Sequence, residues 1–147
     1  MTFKDTIICD IDGTLADIEH RRRFVDGSEK IHWLSFNESM VMDTVKAPVA
    51  ALIHTMRQSG HRVILSSGRG EAYRPHTVEW LESNEIEYDE LRMRAHHDNR
   101  KDREVKYDMF TDEELERVLF VVDDRQQVVD MWRDRGLTCL QCDVGNF

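Results

Sequence analysis

The sequence predicts an α/β fold: a three-layer, Rossmann-like parallel sheet with helices on both faces and a small cap insertion. Two observations carry this expectation. Short apolar runs alternate with amphipathic segments along the 147 residues, with no internal repeat, low-complexity tract or linker to mark a second domain. Three of those runs end directly in polar clusters, Asp10/Asp12, Ser66/Ser67/Arg69 and Asp123/Asp124, and in open parallel sheets the carboxyl ends of the strands line a shared crevice. Repeated strand-then-helix units imply right-handed crossovers that place helices on both faces.

Thr6 to Asp10 is an apolar, β-branched run followed by Gly13, the pattern of a buried strand entering a tight turn. The stretch from Arg21 to about Asp43 has no clean period and reads as a short helical insertion, the cap, at about residues 22–43. Its Trp33 and Phe36 are expected to pack against the core, with stacking on a base as the alternative. Pro48 suits a first helical position, Val49, Leu52, Ile53 and Met56 share one face, and Gly60 supplies the stop. His61 to Ser66 is the next strand, followed by a Ser67-Gly68-Arg69-Gly70 turn and a helix from near Pro75 that buries Val78 and Leu81. Ile86 to Met93 gives a third strand. Asp102 is placed to cap a helix carrying Val105 and Met109, and Thr111 and Glu114 have capping-box spacing. Arg117 to Val122 is a buried strand ending at Asp123-Asp124; Val128, Val129 and Trp132 stripe a last helix stopped by Gly136, and Leu137 to Gln141 closes the sheet.

Length and a hydrophobic content of 40% are enough for one domain, residues 1–147, to enclose a core without staples. The longest apolar runs, such as Leu119 to Val122, fall far short of the roughly 20 residues that span a bilayer, and Lys4 and Asp5 interrupt the N-terminus before a signal-peptide core. A soluble, cytoplasmic protein with no membrane contact is expected. Cys9, Cys139 and Cys142 make an odd count, which argues for reduced thiols. Cys139 and Cys142 form a CxxC, but zinc needs more ligands and no second pair is present, so an ordinary strand is the reading there.

A net charge of −9 argues against broad, non-specific nucleic-acid binding, which depends on neutralising phosphates with Lys and Arg. The charge is uneven. Residues 79–90 hold six acids and no base, a solvated helix face and loop, whereas residues 92–103 hold five bases against two Asp, with His96 and His97 between them. That second stretch can meet a polyanion locally.

The chemistry centres on Asp10-Ile11-Asp12-Gly13-Thr14-Leu15. Carboxylates two apart at a strand end, with a glycine permitting a sharp turn, can both face one small site; the plain alternative is an Asp-Gly turn in which Asp12 only caps. A calcium loop fits less well, because its glycine stands sixth and follows a helix, whereas Gly13 stands fourth. The segment resembles the first motif of the haloacid dehalogenase superfamily of phosphotransferases, an apolar strand followed by Asp-x-Asp-Gly-Thr. Ser67 resembles the second motif of that superfamily, Lys106 the lysine of the third, and Asp123-Asp124 the paired acids of the fourth, all in order.

A phosphate ester is anionic and resists an anionic nucleophile, so such a site needs a cation and hydrogen-bond donors around the transferring oxygens. Mg2+ takes one or two carboxylates, waters and substrate phosphate, and Asp10, the backbone carbonyl of Asp12 and one of Asp123/Asp124 can supply that set. The resemblance implies that Asp10 attacks phosphorus to give an aspartyl-phosphate, and that Asp12 serves as acid and then base. Ser67 offers a hydroxyl and a loop N–H to a phosphoryl oxygen. Lys106 brings a compact charge that also holds the acids in place, and Thr14 is expected to fix the turn.

A closer resemblance runs along nearly the whole chain. Val122-Asp123-Asp124-Arg125-Gln126-Gln127-Val128-Val129-Asp130-Met131-Trp132-Arg133, Ser67-Gly68-Arg69 and Arg100-Lys101-Asp102-Arg103-Glu104-Val105-Lys106 are similar to the 3′-phosphatase domain of phage-type polynucleotide kinase/phosphatase. This resemblance implies removal of 3′-phosphate from nucleic-acid ends, as part of end healing before ligation, and adds Arg21, Arg69 and Asp102 as substrate-binding residues. A guanidinium fork can grip two phosphate oxygens. No Gly-x-x-x-x-Gly-Lys-Ser/Thr phosphate loop occurs, so the sequence is expected to be the phosphatase half standing alone, with a 5′(3′)-nucleotidase acting on mononucleotides as the alternative. A non-catalytic phosphate-binding module is a further alternative, and a signalling receiver domain is disfavoured because its acidic pair comes early and its lysine late. DNA or RNA, base preference and oligomeric state, a homodimer included, are left open by these residues.

Overall fold

The computed structural model describes residues 3–22 and 39–145. Its elements follow the chain as β1 (Thr6–Asp10), β2 (Ala16–Asp17), α1 (Glu19–Arg22), a short 3-10 turn (Ser39–Met42), β3 (Thr44–Val45), α2 (Ala47–Gln58), β4 (Arg62–Gly70), α3 (Arg74–Ser83), β5 (Glu90–Arg94), α4 (Asp102–Asp108), α5 (Asp112–Glu116), β6 (Val118–Arg125), α6 (Gln126–Asp134) and β7 (Cys139–Gly145). Five strands make a parallel sheet in the order β5-β4-β1-β6-β7. The chain builds outward from β1 on one side and then returns to build outward on the other, which puts the switch in strand order beside β1.

Helices cover both faces, so every residue of β1 is buried, as the unbroken apolar run requires. Alternation along the strand sends Ile7 and Cys9 to one face, where Val63, Leu65, Leu91, Val49, Ile53, Trp80 and Leu81 pack. Ile8 goes to the other, against Ile64, Val121, Val128, Val129 and Trp132. Phe110 meets Trp132 edge-on at 5.7 Å, a geometry favoured by the ring quadrupoles. Leu52, Met56 and Val78 are only partly buried at the border of the first core.

Most of the expected elements are found, and the differences have local causes. Ser67-Gly68-Arg69-Gly70 is not a turn: β4 runs on through it, pairing with β5 across a register irregularity between Ser67 and Gly70. Similarly, β6 continues past the acids to Arg125 and β7 to Gly145. The third strand is shorter than its apolar pattern, because residues 86–89 approach the sheet outside any ladder. Asp102 is the first residue of α4 and does not cap it; Lys101 occupies the cap position and donates its N–H to Glu104. Thr111 does cap α5, accepting from the Glu114 N–H at 3.2 Å.

The antiparallel pair Ala16–Asp17 and Thr44–Val45 forms the base of the insertion. Trp33 and Phe36 lie outside the described residues. Among the described residues, no helix is long and apolar enough to cross a membrane. Cys9 and Cys139 are buried and Cys142 is exposed, all as free thiols.

Candidate active site

Register in the sheet brings the polar clusters together. Asp10 stands opposite Ser66, and Cys9 opposite Val122, so the next residues along β4 and β6, Ser67 and Asp123-Asp124, emerge at the same end of the sheet as Asp10. After Asp10 the chain turns sharply: the N–H groups of Thr14, Leu15 and Ala16 all donate to the Ile11 carbonyl. Gly13 makes this turn with φ +83°, and a Cβ there would lie 2.1 Å from the Asp124 carboxylate. Both the left-handed conformation and the close approach exclude a side chain. Thr14 hydroxyl donates to Asp10 Oδ2 at 2.9 Å and lies 3.3 Å from Asp124 Oδ1, so it fixes the turn as expected.

Lys106, brought in by α4, is buried and donates to Asp10 Oδ1 at 2.7 Å and to Asp123 Oδ2 at 3.1 Å. Asp10, Asp123 and Asp124 are all buried, with one carboxylate oxygen from each within 4.8 Å of the others. Three buried carboxylates thus face one ammonium. A hard divalent cation with oxygen ligands fits this donor set, because it neutralises the charge that a single lysine leaves uncompensated. The Asp12 carboxylate is not in this cluster; only its backbone remains for metal contact.

Electrostatics express the same imbalance. Burial, and after it the charge of Asp123, push Asp124 up to about 6. Burial and Asp123 also push Asp10 up, against the pull of Lys106. Burial opposes the charge on Lys106 itself, but Asp10 and Asp123 outweigh it and raise its pKa. For Asp124 the folded value lies above its ordinary 3.8, so between these values the folded state binds more protons than the unfolded. Its contribution to stability is therefore present at low pH and is lost as pH rises through about 6. A cation bound by the ionised carboxylates removes that penalty where it is largest. Mg2+ is expected to raise Tm more near pH 7.5 than near pH 5, which scanning calorimetry at the two values tests; equal shifts would remove Asp124 from the ligand set.

Asp12 points the other way, into a network of two carboxylates and two guanidinium groups. Arg69 grips it through Nε at 3.1 Å and Nη2 at 2.7 Å, and Arg21 through Nη2 at 2.5 Å. Burial acts to raise the Asp12 pKa, yet the charges and hydrogen bonds of Arg69 and Arg21 outweigh it and hold this carboxyl well below the usual range. Asp43 completes the network. It accepts Arg21 Nε at 2.9 Å and Nη2 at 2.6 Å as a bidentate pair, takes His20 Nε2 at 2.6 Å, and lies 3.4 Å from Arg69 Nη2. Trp80 Nε1 fixes the Asp43 backbone by donating to its carbonyl at 2.9 Å. Arg69 Nη1 donates to Thr77 Oγ1 at 3.1 Å.

These contacts refine the expected roles. Arg69 lines the cleft beside Asp12, whereas Arg21 is fully buried and does not appear on the cleft wall. Arg21 therefore meets the cleft through its contact with Asp12. Ser67 is buried, and its Oγ accepts the Arg69 N–H at 3.1 Å, which leaves the hydroxyl hydrogen to donate elsewhere. Asp102 lines the cleft but accepts from Arg94 on one oxygen and from Arg125 on the other, the latter at 2.7 Å. It holds two arginines at the mouth of the site. Asp43, Arg94 and Arg125 are the residues that sequence reasoning missed. Arg125 adjoins the acidic pair and Arg94 lies in the basic stretch, but nothing around Asp43 in the sequence marks it.

The site occupies a cleft of about 490 Å³ at the carboxyl ends of the strands, with Asp10, Asp12, Arg69, Asp123, Asp124 and Arg125 in its lining. A parallel sheet with a nucleophile-like carboxylate after its central strand, a buried lysine and paired acids after the neighbouring strand defines a haloacid dehalogenase-like phosphatase. The family model for the polynucleotide kinase PNKP phosphatase domain matches residues 4–147, and the chain belongs to that family. Two chains from solved Pnkp1/Rnl/Hen1 structures, one described as an RNA repair complex, are each 37% identical to it. They superpose with TM-scores of 0.81 and 0.84 over 99% and 100% of this chain and 44% and 48% of their own. The chain thus spans less than half the length of those relatives. A predicted phosphatase from Clostridium acetobutylicum, 14% identical, matches with a TM-score of 0.65 over 95% of this chain and 85% of its own, a likeness of fold alone.

Proposed function

We propose that this phosphatase removes 3′-phosphate from polynucleotide ends, with Mg2+, through an aspartyl-phosphate on Asp10. The observation that carries the chemistry is Asp10 itself: one oxygen is held by Lys106 and the other by Thr14, at the floor of a cleft that also presents Asp12 and Arg69. Family membership and the relatives from an RNA repair complex support the choice of substrate.

Asp10, the Asp12 carbonyl and Asp123 or Asp124 would hold an Mg2+ ion, which would supply the positive charge that lets an anion attack an anion. Asp10 attacks phosphorus in line; the new O–P bond forms as the bond to the 3′ oxygen breaks. Ser67 donates to a phosphoryl oxygen, and Lys106 pulls Asp10 toward its ionised form and aims it. Asp12 protonates the leaving 3′ oxygen, then takes a proton from the water that hydrolyses the acyl phosphate. In the free site Arg69 and Arg21 hold Asp12 ionised. A phosphate dianion entering the cleft competes for the Arg69 fork, and Asp12 gains proton affinity as that grip is shared.

The test is phosphate release, with and without Mg2+, from a 3′-phosphorylated oligonucleotide and from 5′- and 3′-mononucleotides in parallel. Release from the oligonucleotide is expected to dominate and to stop on chelation. Strong preference for mononucleotides would replace this reading with that of a nucleotidase.

A further inference from the structure

We propose that Lys101 forms a subsite for the internucleotide phosphate next to the reacting 3′ end, so that the cleft holds two successive phosphates of one strand. This rests on the polynucleotide reading above and adds to it a residue that discriminates a strand from a mononucleotide.

The cleft extends well beyond the phosphoryl site. Besides the acids, its lining includes an arm of residues 94 and 98–101: Arg94, Asp98, Asn99, Arg100 and Lys101. Its volume of about 490 Å³ is that of a site for a drug-sized ligand. The terminal phosphate fills only part of that volume, and the strand attached to it leaves along the arm.

Within the arm most positive charge is already neutralised. Of the five bases in residues 92–103, Arg92 and Arg103 lie outside the cleft, Arg92 over the Phe110 ring and bound to Glu90 and Glu114. Arg94 is bound to Asp102 and to the carbonyls of Gly68, Asp98 and Arg100. Arg100 pairs with Asp98 and Asp108. Arg94 and Arg100 build the wall. Lys101 is exposed on the same wall, and among the described residues no carboxylate pairs with it. Its backbone is anchored, with the N–H donating to Glu104 Oε2 at 3.2 Å and the preceding carbonyl accepting from Arg94.

An anchored backbone with a mobile, unneutralised ammonium suits a phosphodiester, whose position along a flexible strand varies. The need for such a charge is set by the chain as a whole: at −9 it repels a polyanion, so a strand requires local cations to approach.

The experiment measures kcat/KM for a 3′-phosphorylated trinucleotide and for a nucleoside 3′-monophosphate, across a salt series, in wild type, Lys101→Ala and Lys101→Arg. In Lys101→Ala the ratio of the two values is expected to fall about fivefold, the upper end for one exposed ion contact, and Lys101→Arg is expected to restore it. The salt dependence of log kcat/KM on the trinucleotide should become shallower by about 0.7, the increment for one phosphate on a single strand. A wild type that prefers the trinucleotide, together with an unmoved ratio and slope in Lys101→Ala, overturns the subsite alone. A wild type with no preference for the trinucleotide overturns the polynucleotide reading and the subsite with it.

Discussion

Asp10→Asn is expected to lower phosphate release by about 10⁴-fold or more, the scale of losing a covalent nucleophile. The amide keeps the size of the side chain and a carbonyl oxygen to accept from Lys106, while its NH2 faces the Thr14 hydroxyl, which accepts in turn, so the geometry of the turn survives. Stability should not fall. Burial and the neighbouring Asp123 already disfavour the ionised form of Asp10, and a neutral amide relieves that repulsion in the metal-free protein. Paired measurements separate chemistry from folding: thermal unfolding without Mg2+ should show Tm equal to or above wild type, while acid-quenched reactions with labelled phosphate should leave label on the wild-type protein and none on the variant. Undiminished release from a folded Asp10→Asn protein would refute the nucleophile assignment.

Asp43→Ala is expected to damage both stability and activity. The carboxylate is buried and is the bidentate partner of Arg21, itself fully buried. Removing one member of such a pair leaves an uncompensated charge in the interior, at a cost of about 3–5 kcal/mol. That is a large share of the roughly 5–15 kcal/mol by which domains are stable, and it corresponds to a drop in Tm on the order of 10 °C. Arg21 and Arg69 both lose an anchor, so Asp12 loses its orientation, and a drop in kcat of about 10²-fold follows from misplacement alone. Asp43→Asn keeps an acceptor without the charge and should fall between. Unfolding curves and kcat for both variants check this, and two variants indistinguishable from wild type would show that Asp43 anchors nothing.

The contrast between these two residues explains what was legible in the sequence. Asp10 could be found because its neighbours in sequence are its neighbours in space: the apolar run Thr6 to Cys9 makes the strand, Gly13 makes the turn, and Thr14 reaches back four residues. Ser67 and Asp123-Asp124 were visible for a related reason, each following an apolar run, whereas Lys106 was marked by its resemblance to the lysine of the third motif. Asp43 had no such support. It stands at the end of a stretch without periodicity, and only the pairing of β2 with β3 and the bond from Trp80 bring it beneath Arg21 and Arg69.

Strand ends show a similar division. Apolar patterning located the starts of β4, β6 and β7, but the expected ends, at Ser66, at the Asp123-Asp124 pair and at Gln141, fell short, and the ladder with the neighbouring strand extended them. Asp102 had the residue type of a helix cap, yet two arginines distant in sequence claim its oxygens.

By itself the sequence therefore determined the α/β class, the central strand and the identity of the acids at its edge, because hydrophobic periodicity and local turn chemistry act over a few residues. The tertiary structure alone decided which partner each charge takes. Asp12 faces arginines instead of the acidic cluster, Arg21 stands behind it, and Lys101 is left unpaired among the described residues on the cleft wall. Those pairings depend on distances between segments far apart in the chain, and charge interactions in a buried site are set by position and dielectric, not by residue type.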